Sequence, residues 1–439
     1  MAGREYRSWG HTAAGAPAAV VPVVWRSDPP ALAGLSGTLL PFAYGRSYGD
    51  SCLNAGGTLL DVTPLNRFMA FDDHTGVLQC EAGVTLAEIL ELVVPRGWFL
   101  PVVPGTKWVS LGGAIANDIH GKNHHRAGTF GAHVTRFELL RSSGERVCCS
   151  PAENAPLFRA TIGGLGLTGL ILWAEIRLAR IPGPAIAMDR IRFGGLDEFF
   201  QLCASDRDFE YTVAWLDGLG GRDALGRGIF MRGNHAAGAG PRPPTKAASP
   251  DARLPLDPPF ALVRRPAMSA FNAVYYRGQL KPRISRTVAY EPFFFPLDAI
   301  PGWNRLYGPG GLVQYQCVVP DDVGHRPIRD VRAEVRRSRE ACYLAVLKVF
   351  GAAPSPGLLS FPRPGVTLAM DFAYRGERTL RLLDRLDAVV AAAGGAVYPA
   401  KDARMSGASF RRFFPRWESF AGHVDPKFSS SFWRRVTGG

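Results

Sequence analysis

The sequence predicts a fold of mixed strands and helices divided into two or three domains. Three observations predict it. Strand-like and helix-like segments alternate with glycine-rich turns over residues 38–178. The run Pro182-Gly-Pro184 then breaks the pattern and marks a domain boundary. Two long amphipathic helices follow at 327–341 and 378–393. A chain of 439 residues suits that division, at roughly 100–200 residues per domain.

The elements are legible in order. Thr85-Leu-Ala-Glu88 is a capping box, in which hydroxyl and carboxylate each satisfy an otherwise orphaned backbone N–H. Leu86, Ile89, Leu90 and Val93 continue it at helical spacing, and Pro95 and Gly97 close the helix. Leu170–Leu178 reads as a strand. From 232 to 258 small residues and prolines lack any period, which predicts a structureless insert, a flexible loop or lid. In 327–341, Ile328, Val331, Val335 and Cys342 share one face. Six arginines (326, 329, 332, 336, 337, 339) lie elsewhere and read as a solvated basic face, with an anionic-lipid patch as the alternative. In 378–393, Leu382, Leu383, Leu386, Val389, Val390 and Ala393 form a stripe that Gly394-Gly395 ends.

Composition narrows the function classes. Hydrophobic residues make up 46% and charged residues 20%, which excludes a disordered chain. The sequence holds no 18-residue apolar run free of charge or proline, so no spanning helix is expected. The net charge of +13 predicts attraction to anions. Seven cysteines without a CxxC pair read as reduced thiols of a cytosol-like compartment. Thr12–Trp25 carries Pro17 and Pro22 and lacks a cleavage site, so no signal peptide is expected.

Gly164-Leu-Gly166-Leu-Thr-Gly169 matches GxGxxG, with Asp189 downstream, but a helix precedes it and a strand follows. That order is wrong for a Rossmann turn. Two other clusters are more informative: Pro41-Phe-Ala-Tyr-Gly45-Arg-Ser-Tyr-Gly49-Asp50, and Pro104-Gly-Thr106 with Ser110-Leu-Gly112-Gly113-Ala-Ile-Ala-Asn117-Asp118-Ile-His120. Each offers backbone amides that no side chain blocks, the means by which turns bind phosphates. Either alone could be a tight turn. Together they predict a divided cradle for a dinucleotide.

The histidines 120, 124, 125 and 133 lack a recurring third ligand, and no metal site is expected. His120, beside Asp118 and Lys122, suits a polar site around an anionic cofactor. Only seven residues are lysine, and Lys122, Lys348 and Lys401 sit in apolar neighbourhoods. Burial would lower their pKa and equip them as bases or phosphate anchors. A stem buried with its head in water is the plainer alternative for each.

Gly45-Arg-Ser-Tyr-Gly-Asp50, Val103-Pro-Gly-Thr106 and Gly112-Gly-Ala-Ile-Ala-Asn-Asp-Ile-His-Gly-Lys-Asn-His-His125 resemble the vanillyl-alcohol oxidase/p-cresol methylhydroxylase flavoprotein family, in its polyprenyl-phosphoryl-ribose oxidase branch. The resemblance continues through Trp303–Pro309, Gln314–Gln316, Leu347–Gly351, Ala400–Arg404 and Val424–Pro426. It implies an α+β fold in which a split FAD-binding domain (1–182 and 396–439) surrounds a substrate domain of antiparallel sheet and helices (183–395). Flavin and pyrophosphate contacts would come from Gly45, Arg46, Ser47, Tyr48, Gly49 and Asp50. They would come also from Gly105, Ser110, Leu111, Gly112 and Gly113, then from Asn117, Asp118, His120, Ile171 and Tyr398. With no His or Cys in 45–50, the FAD is expected to be non-covalent.

The chemistry the resemblance implies is oxidation of the 2-hydroxyl of a polyprenyl-phosphate ribose to the 2-keto sugar, completed to arabinose by an NAD(P)H-dependent short-chain keto-reductase. Lys401 would take the hydroxyl proton, with His120 as rival base and Gln316 bonding the sugar. Lys122 and Lys348 would hold the phosphate. Trp215 and Phe294 would wall the pocket, with Phe294 and Ala369 standing where family members often have tyrosine and cysteine. The expected location is the cytoplasm, peripheral at the inner membrane face, with periplasmic placement as the alternative. A sugar, alditol or lactone oxidase predicts a histidine in the first glycine loop, which is absent. A nucleic-acid-binding protein predicts basic clusters interleaved with aromatics, also absent.

Overall fold

A computed structural model describes residues 5–13, 15–205, 208–219, 226–238, 258, 260–321 and 325–438. Strands β1 (Ala19–Pro22), β2 (Leu39–Phe42) and β3 (Thr58–Asp61) form a small parallel sheet with β3 in the centre. All four residues of β3 are buried, as expected for a strand paired on both sides. β4 (Phe68–Asp72) and β5 (Val77–Glu81) follow, then helix α1 (Leu86–Val93). The capping box at Thr85 and Glu88 is present, and Gly97 ends the following turn at φ +78°. Such a box is worth about 1 kcal/mol.

β6 (Trp98–Phe99) leads to the short helices α2 (Leu111–Ala116) and α3 (His124–Ala127). β7 (Val134–Leu140), β8 (Arg146–Cys149), helix α4 (Ala155–Thr161) and β9 (Leu170–Arg177) complete a five-stranded antiparallel sheet of order β4-β5-β9-β7-β8. β10 (Ala179–Arg180) returns to pair with β6. The glycine-rich turn 164–169 thus joins a helix to a strand. Asp189 lies on a later strand, Ala185–Phe193, occupied by Arg232, Arg283 and Ser285.

The second sheet is larger. It contains β11 (Ala185–Phe193), β12 (Tyr211–Leu216), β13 (Gly228–Ala236), β14 (Arg283–Ala289), β15 (Leu312–Val319), β16 (Cys342–Phe350), β17 (Gly365–Ala373) and β18 (Ala396–Val397). Their order is β14-β11-β13-β12-β16-β17-β15-β18, antiparallel throughout. Helices α5 (Leu196–Ser205), α6 (Arg265–Arg277), α7 (Tyr290–Phe294), α8 (Arg326–Ser338) and α9 (Glu377–Ala392) accompany it. β13 corrects the reading of a structureless insert from 232. Residues 232–236 are strand, because each pairs with β11, from Asp189↔Arg232 to Ala185↔Ala236. The remainder of that insert, 239–257, lies outside the described residues.

α8 and α9 bury the expected stripes, Ile328, Val331 and Val335 on one and Leu382, Leu383, Leu386 and Val390 on the other. Two details differ. Cys342 belongs to β16, and Arg332 is buried, donating to the carbonyl of Asp217 at 3.1 Å.

The chain then returns to its beginning through α10 (Gly407–Phe413), α11 (Trp417–Ala421) and α12 (Ser431–Thr437). Leu39 N–H donates to the carbonyl of Lys427, and Arg434 to the side chain of Asn54. Arg435 bridges Asp50 (2.7 Å) and Asp402 (2.9 Å), so the C-terminal helix clamps the first glycine cluster. Among the described residues no helix is long and apolar enough to cross a membrane.

Candidate active site

One cavity of about 340 Å³ runs between the two glycine clusters and the large sheet. Its first wall is backbone. Gly45 turns at φ +61°, and a Cβ there would meet the carbonyl of Arg7 at 2.3 Å. Gly45, Arg46, Ser47 and Tyr48 line the cavity. From the second cluster Gly105, Ser110, Gly112 and Gly113 line it, with Asn117 and His120. Ser110 caps α2 by accepting from Gly113 N–H at 3.1 Å. Arg46 ties the two turns together: its Nε donates to the carbonyl of Trp108 at 3.3 Å and its guanidinium lies 4.4 Å from the Trp9 ring.

The second wall is a sheet face. Side chains alternate along a strand, so paired residues in register share a face. Gln314↔Asp371, Gln316↔Ala369 and Ala369↔Val346 are such pairs, and Thr367↔Lys348 is another. Gln314, Gln316, Val346, Lys348 and Ala369 therefore project together into the cavity. Beyond β18, Tyr398 and Lys401 close it, with the Tyr398 hydroxyl donating to the carbonyl of Asn117 at 2.8 Å.

Burial governs the charges of this wall. It pulls Lys401 down to about 7, against the opposing attraction of Asp371, and pushes Asp371 up to about 7. Lys348 falls to about 7 through burial, with repulsion from Lys122 and Lys401 adding to it. His120 is held well below its usual range by burial and by Lys348, so its ring is neutral near pH 7. Both lysines are thus poised to gain or lose a proton near neutrality.

The hydrogen bonds distinguish these groups. Thr367 Oγ1 donates to the carbonyl of Cys317 at 2.9 Å and accepts from Gln316 Nε2 at 3.3 Å. That orients the amide so that Nε2 also donates to His120 Nε2, 2.8 Å away. The ring proton of His120 then sits on Nδ1, facing Lys348 Nζ at 3.2 Å, where a neutral amine accepts it. While Lys348 is neutral, His120 therefore has no free lone pair. Lys401 Nζ instead lies 3.7 Å over the Tyr48 ring and donates to no acceptor among the described residues. It is the base-capable group left available to a ligand.

Several residues expected at the site lie elsewhere. Gly49 packs so closely that a Cβ would come within 1.6 Å of the Asp402 carbonyl. Asp50 is engaged by Arg435, and Leu111 is core. Asp118, at φ +39° and fully buried, accepts from Gly131 N–H and Ser360 hydroxyl and holds the loop from behind. Lys122 donates to the carbonyl of Phe294 at 3.0 Å, not to the cavity. Phe294 is packed among Phe99, Tyr211 and Phe293. Trp215 shares the row of Val346 and Ala369 but sits one strand further out, against Tyr275 of α6 at 4.8 Å.

The sequence reading also missed residues. Leu165, Gly166, Gly169 and Leu170 line the cavity beside the expected Ile171, so the rejected GxGxxG turn still belongs to the site. Positive φ at Leu165, Gly166 and Gly169 is what shapes it. Trp303 and Gln314, inside segments already singled out, are wall residues too, and alternation two residues before Gln316 could have revealed Gln314.

A profile of FAD binding domains matches residues 35–150. The decaprenylphosphoryl-β-D-ribose oxidase of Mycolicibacterium smegmatis is 35% identical over 408 residues, spanning 89% of this chain and 87% of that protein. The chain belongs to this family of FAD-dependent oxidoreductases. An uncharacterized protein in the mprA 5′ region of Streptomyces coelicolor is also 35% identical, over 80% of this chain and all of that protein. Human Δ(24)-sterol reductase is 31% identical over 140 residues, 32% of this chain and 26% of its own length.

The cavity fits FAD. Gly105 is open: a Cβ there would meet nothing within 4 Å. Ser51 Oγ is buried in the wall without a hydrogen-bond partner, a vacancy that a polar ligand atom would fill. Ile119, Leu165, Leu170 and Ile171 give apolar surface for flat rings.

Proposed function

We propose that this protein oxidises the 2-hydroxyl of a polyprenyl-phosphoryl ribose to the 2-keto sugar. The observation that carries this reading is the placement of Lys401. A lysine brought to about 7 by burial faces the cavity that both glycine clusters line. FAD, when bound, supplies the hydride acceptor. Lys401, as the neutral amine, takes the hydroxyl proton at Nζ, which makes the carbon a better hydride donor. Gln316, held by Thr367 and His120, orients the sugar. His120 positions through Gln316 and Lys348 and does not act as the base.

Lys348 lies in the same wall, and an arriving phosphate favours its charged form. It replaces Lys122 as the phosphate anchor, since Lys122 is engaged at Phe294. The FAD is held non-covalently. The turn 45–50 has no His or Cys, and burial pushes the neighbouring Cys52 thiol up to about 12, so it stays protonated. A 2-keto sugar needs a second enzyme to complete epimerisation, and an NAD(P)H-dependent keto-reductase of the short-chain class would do so.

The test is spectroscopic. The purified protein should be yellow, and acid precipitation should release its flavin. A prenyl-phosphoryl ribose should bleach the bound flavin anaerobically, whereas free ribose should not. Bleaching by free ribose, alditols or lactones with equal efficiency would replace the lipid-linked substrate with a soluble one.

A further inference from the structure

Nine large apolar side chains are exposed among the described residues, and six of them fall between Phe260 and Ile300. They are Phe260, Leu262, Phe271, Val274, Leu280 and Ile300. Val274 is 72% exposed and Leu280 86%, values at which neither contributes to any core. The segment is also one-signed. From Pro258 to Tyr290 it carries Arg264, Arg265, Arg277, Lys281, Arg283 and Arg286 and no Asp or Glu. All six cations are exposed, and among the described residues only Arg283 has an acidic partner, Asp189.

The patch is held rigidly. α6 buries Met268 and Asn272, the latter donating to Asp217 Oδ1 at 2.9 Å, and sets Tyr275 edge-on against Trp215. That leaves Phe271 and Val274 facing outward. Gln279 is buried and donates to the carbonyls of Arg190 on β11 and of Lys281 in the adjoining turn, so Leu280 is projected by a built turn. The patch also reaches the cavity. Leu262 N–H donates to the carbonyl of Leu306 in the turn that carries Trp303, and both Trp303 and Ile300 line the cavity.

The other arginine-rich helix lacks these features. On α8, Arg326 pairs with Asp330, Arg329 with Asp197 and Arg337 with Glu334, and no large apolar side chain is exposed. Three of its arginines are thus paired with carboxylates, whereas among the described residues Arg265 and Arg277 of α6 pair with none.

We infer that α6 and its flanking turns, with Phe260, Leu262, Phe271, Val274 and Leu280 inserting and the surrounding cations pairing with phosphates, dock the protein on an anionic bilayer and bring the cavity mouth to the membrane surface. Exposed apolar side chains ringed by cations are the composition that binds such an interface. Opposite charge selects a bilayer over a neutral apolar partner. The inference is independent of the sugar, because docking requires no substrate.

The full-length, FAD-loaded protein should co-sediment with vesicles rich in phosphatidylglycerol and not with pure phosphatidylcholine vesicles. Binding should weaken as salt rises. The double variant V274E/L280E should bind at least about tenfold more weakly, with unchanged flavin content and circular dichroism. R326Q/R329Q should bind like the parent. Equal sedimentation of V274E/L280E and parent would overturn the proposal, as would equal binding to both lipids. A parent dimer that the double variant dissociates, without any vesicle binding, would assign the patch to a second copy instead.

Discussion

The two walls of the cavity are built by different physics. The glycine wall is backbone: Gly105 leaves open space because it lacks a side chain, and Gly45 lets its turn pack against the carbonyl of Arg7. The sheet wall is collective. Gln316, Ala369, Val346 and Lys348 come from three strands, and only the register of β15, β17 and β16 puts the first three in one row with Lys348 beside them on the same face. On the proposed function the difference is a division of labour, in which backbone turns hold the cofactor and the sheet face supplies the reacting and orienting groups.

Mutations should separate the two. Lys401→Ala should retain FAD and lose flavin reduction by about 10²–10⁴-fold, the usual span for a general base. Single-turnover reduction measures it, and a variant that reduces at the parent rate removes Lys401 from the chemistry. Gly105→Val should do the opposite. A side chain there meets no protein atom, so folding should be unaffected, while FAD affinity falls about 10–100-fold, or about 1.4–2.8 kcal/mol. Fluorescence titration of the apoprotein reads that change. If both variants lose flavin equally, the division fails.

The smallest effect is the pH dependence. A base must be neutral to act, and Lys401 is brought to about 7. kcat/KM should therefore fall by about tenfold per unit as pH drops below about 7, and level off above it. Lys348 titrates in the same range, so the profile reports the coupled pair. A profile flat from pH 5 to 9 would mean that no group of this wall loses a proton in the rate-limiting step.

Local features were legible from residues alone. The capping box at Thr85, the stripes of α8 and α9 and the glycine turns depend on neighbours a few positions away, which a sequence displays directly. The lysines were conspicuous by scarcity, and Lys348 and Lys401 do line the cavity. Their chemistry was not legible, because a lowered pKa depends on burial by distant segments. The same limit explains the misplacements. Lys122, Phe294 and Trp215 are near the cavity in sequence pattern, but one is bonded to a carbonyl, one sits in an aromatic cluster and one lies a strand too far. Gly49 and Asp50 turn away because the C-terminal segment packs on them.

The sequence by itself determined a mixed α+β chain, two glycine clusters able to cradle a dinucleotide and a flavoprotein resemblance carried by contiguous motifs. Only the tertiary structure decided which cavity lysine donates to no acceptor among the described residues, that Thr367 orients Gln316 and thereby sets the His120 tautomer, and that exposed apolar side chains gather on and beside α6 and not on the more arginine-rich α8. The reason is physical. Conformational preference acts along the chain, whereas proton affinity, hydrogen-bond direction and charge compensation depend on which groups packing brings within a few ångströms.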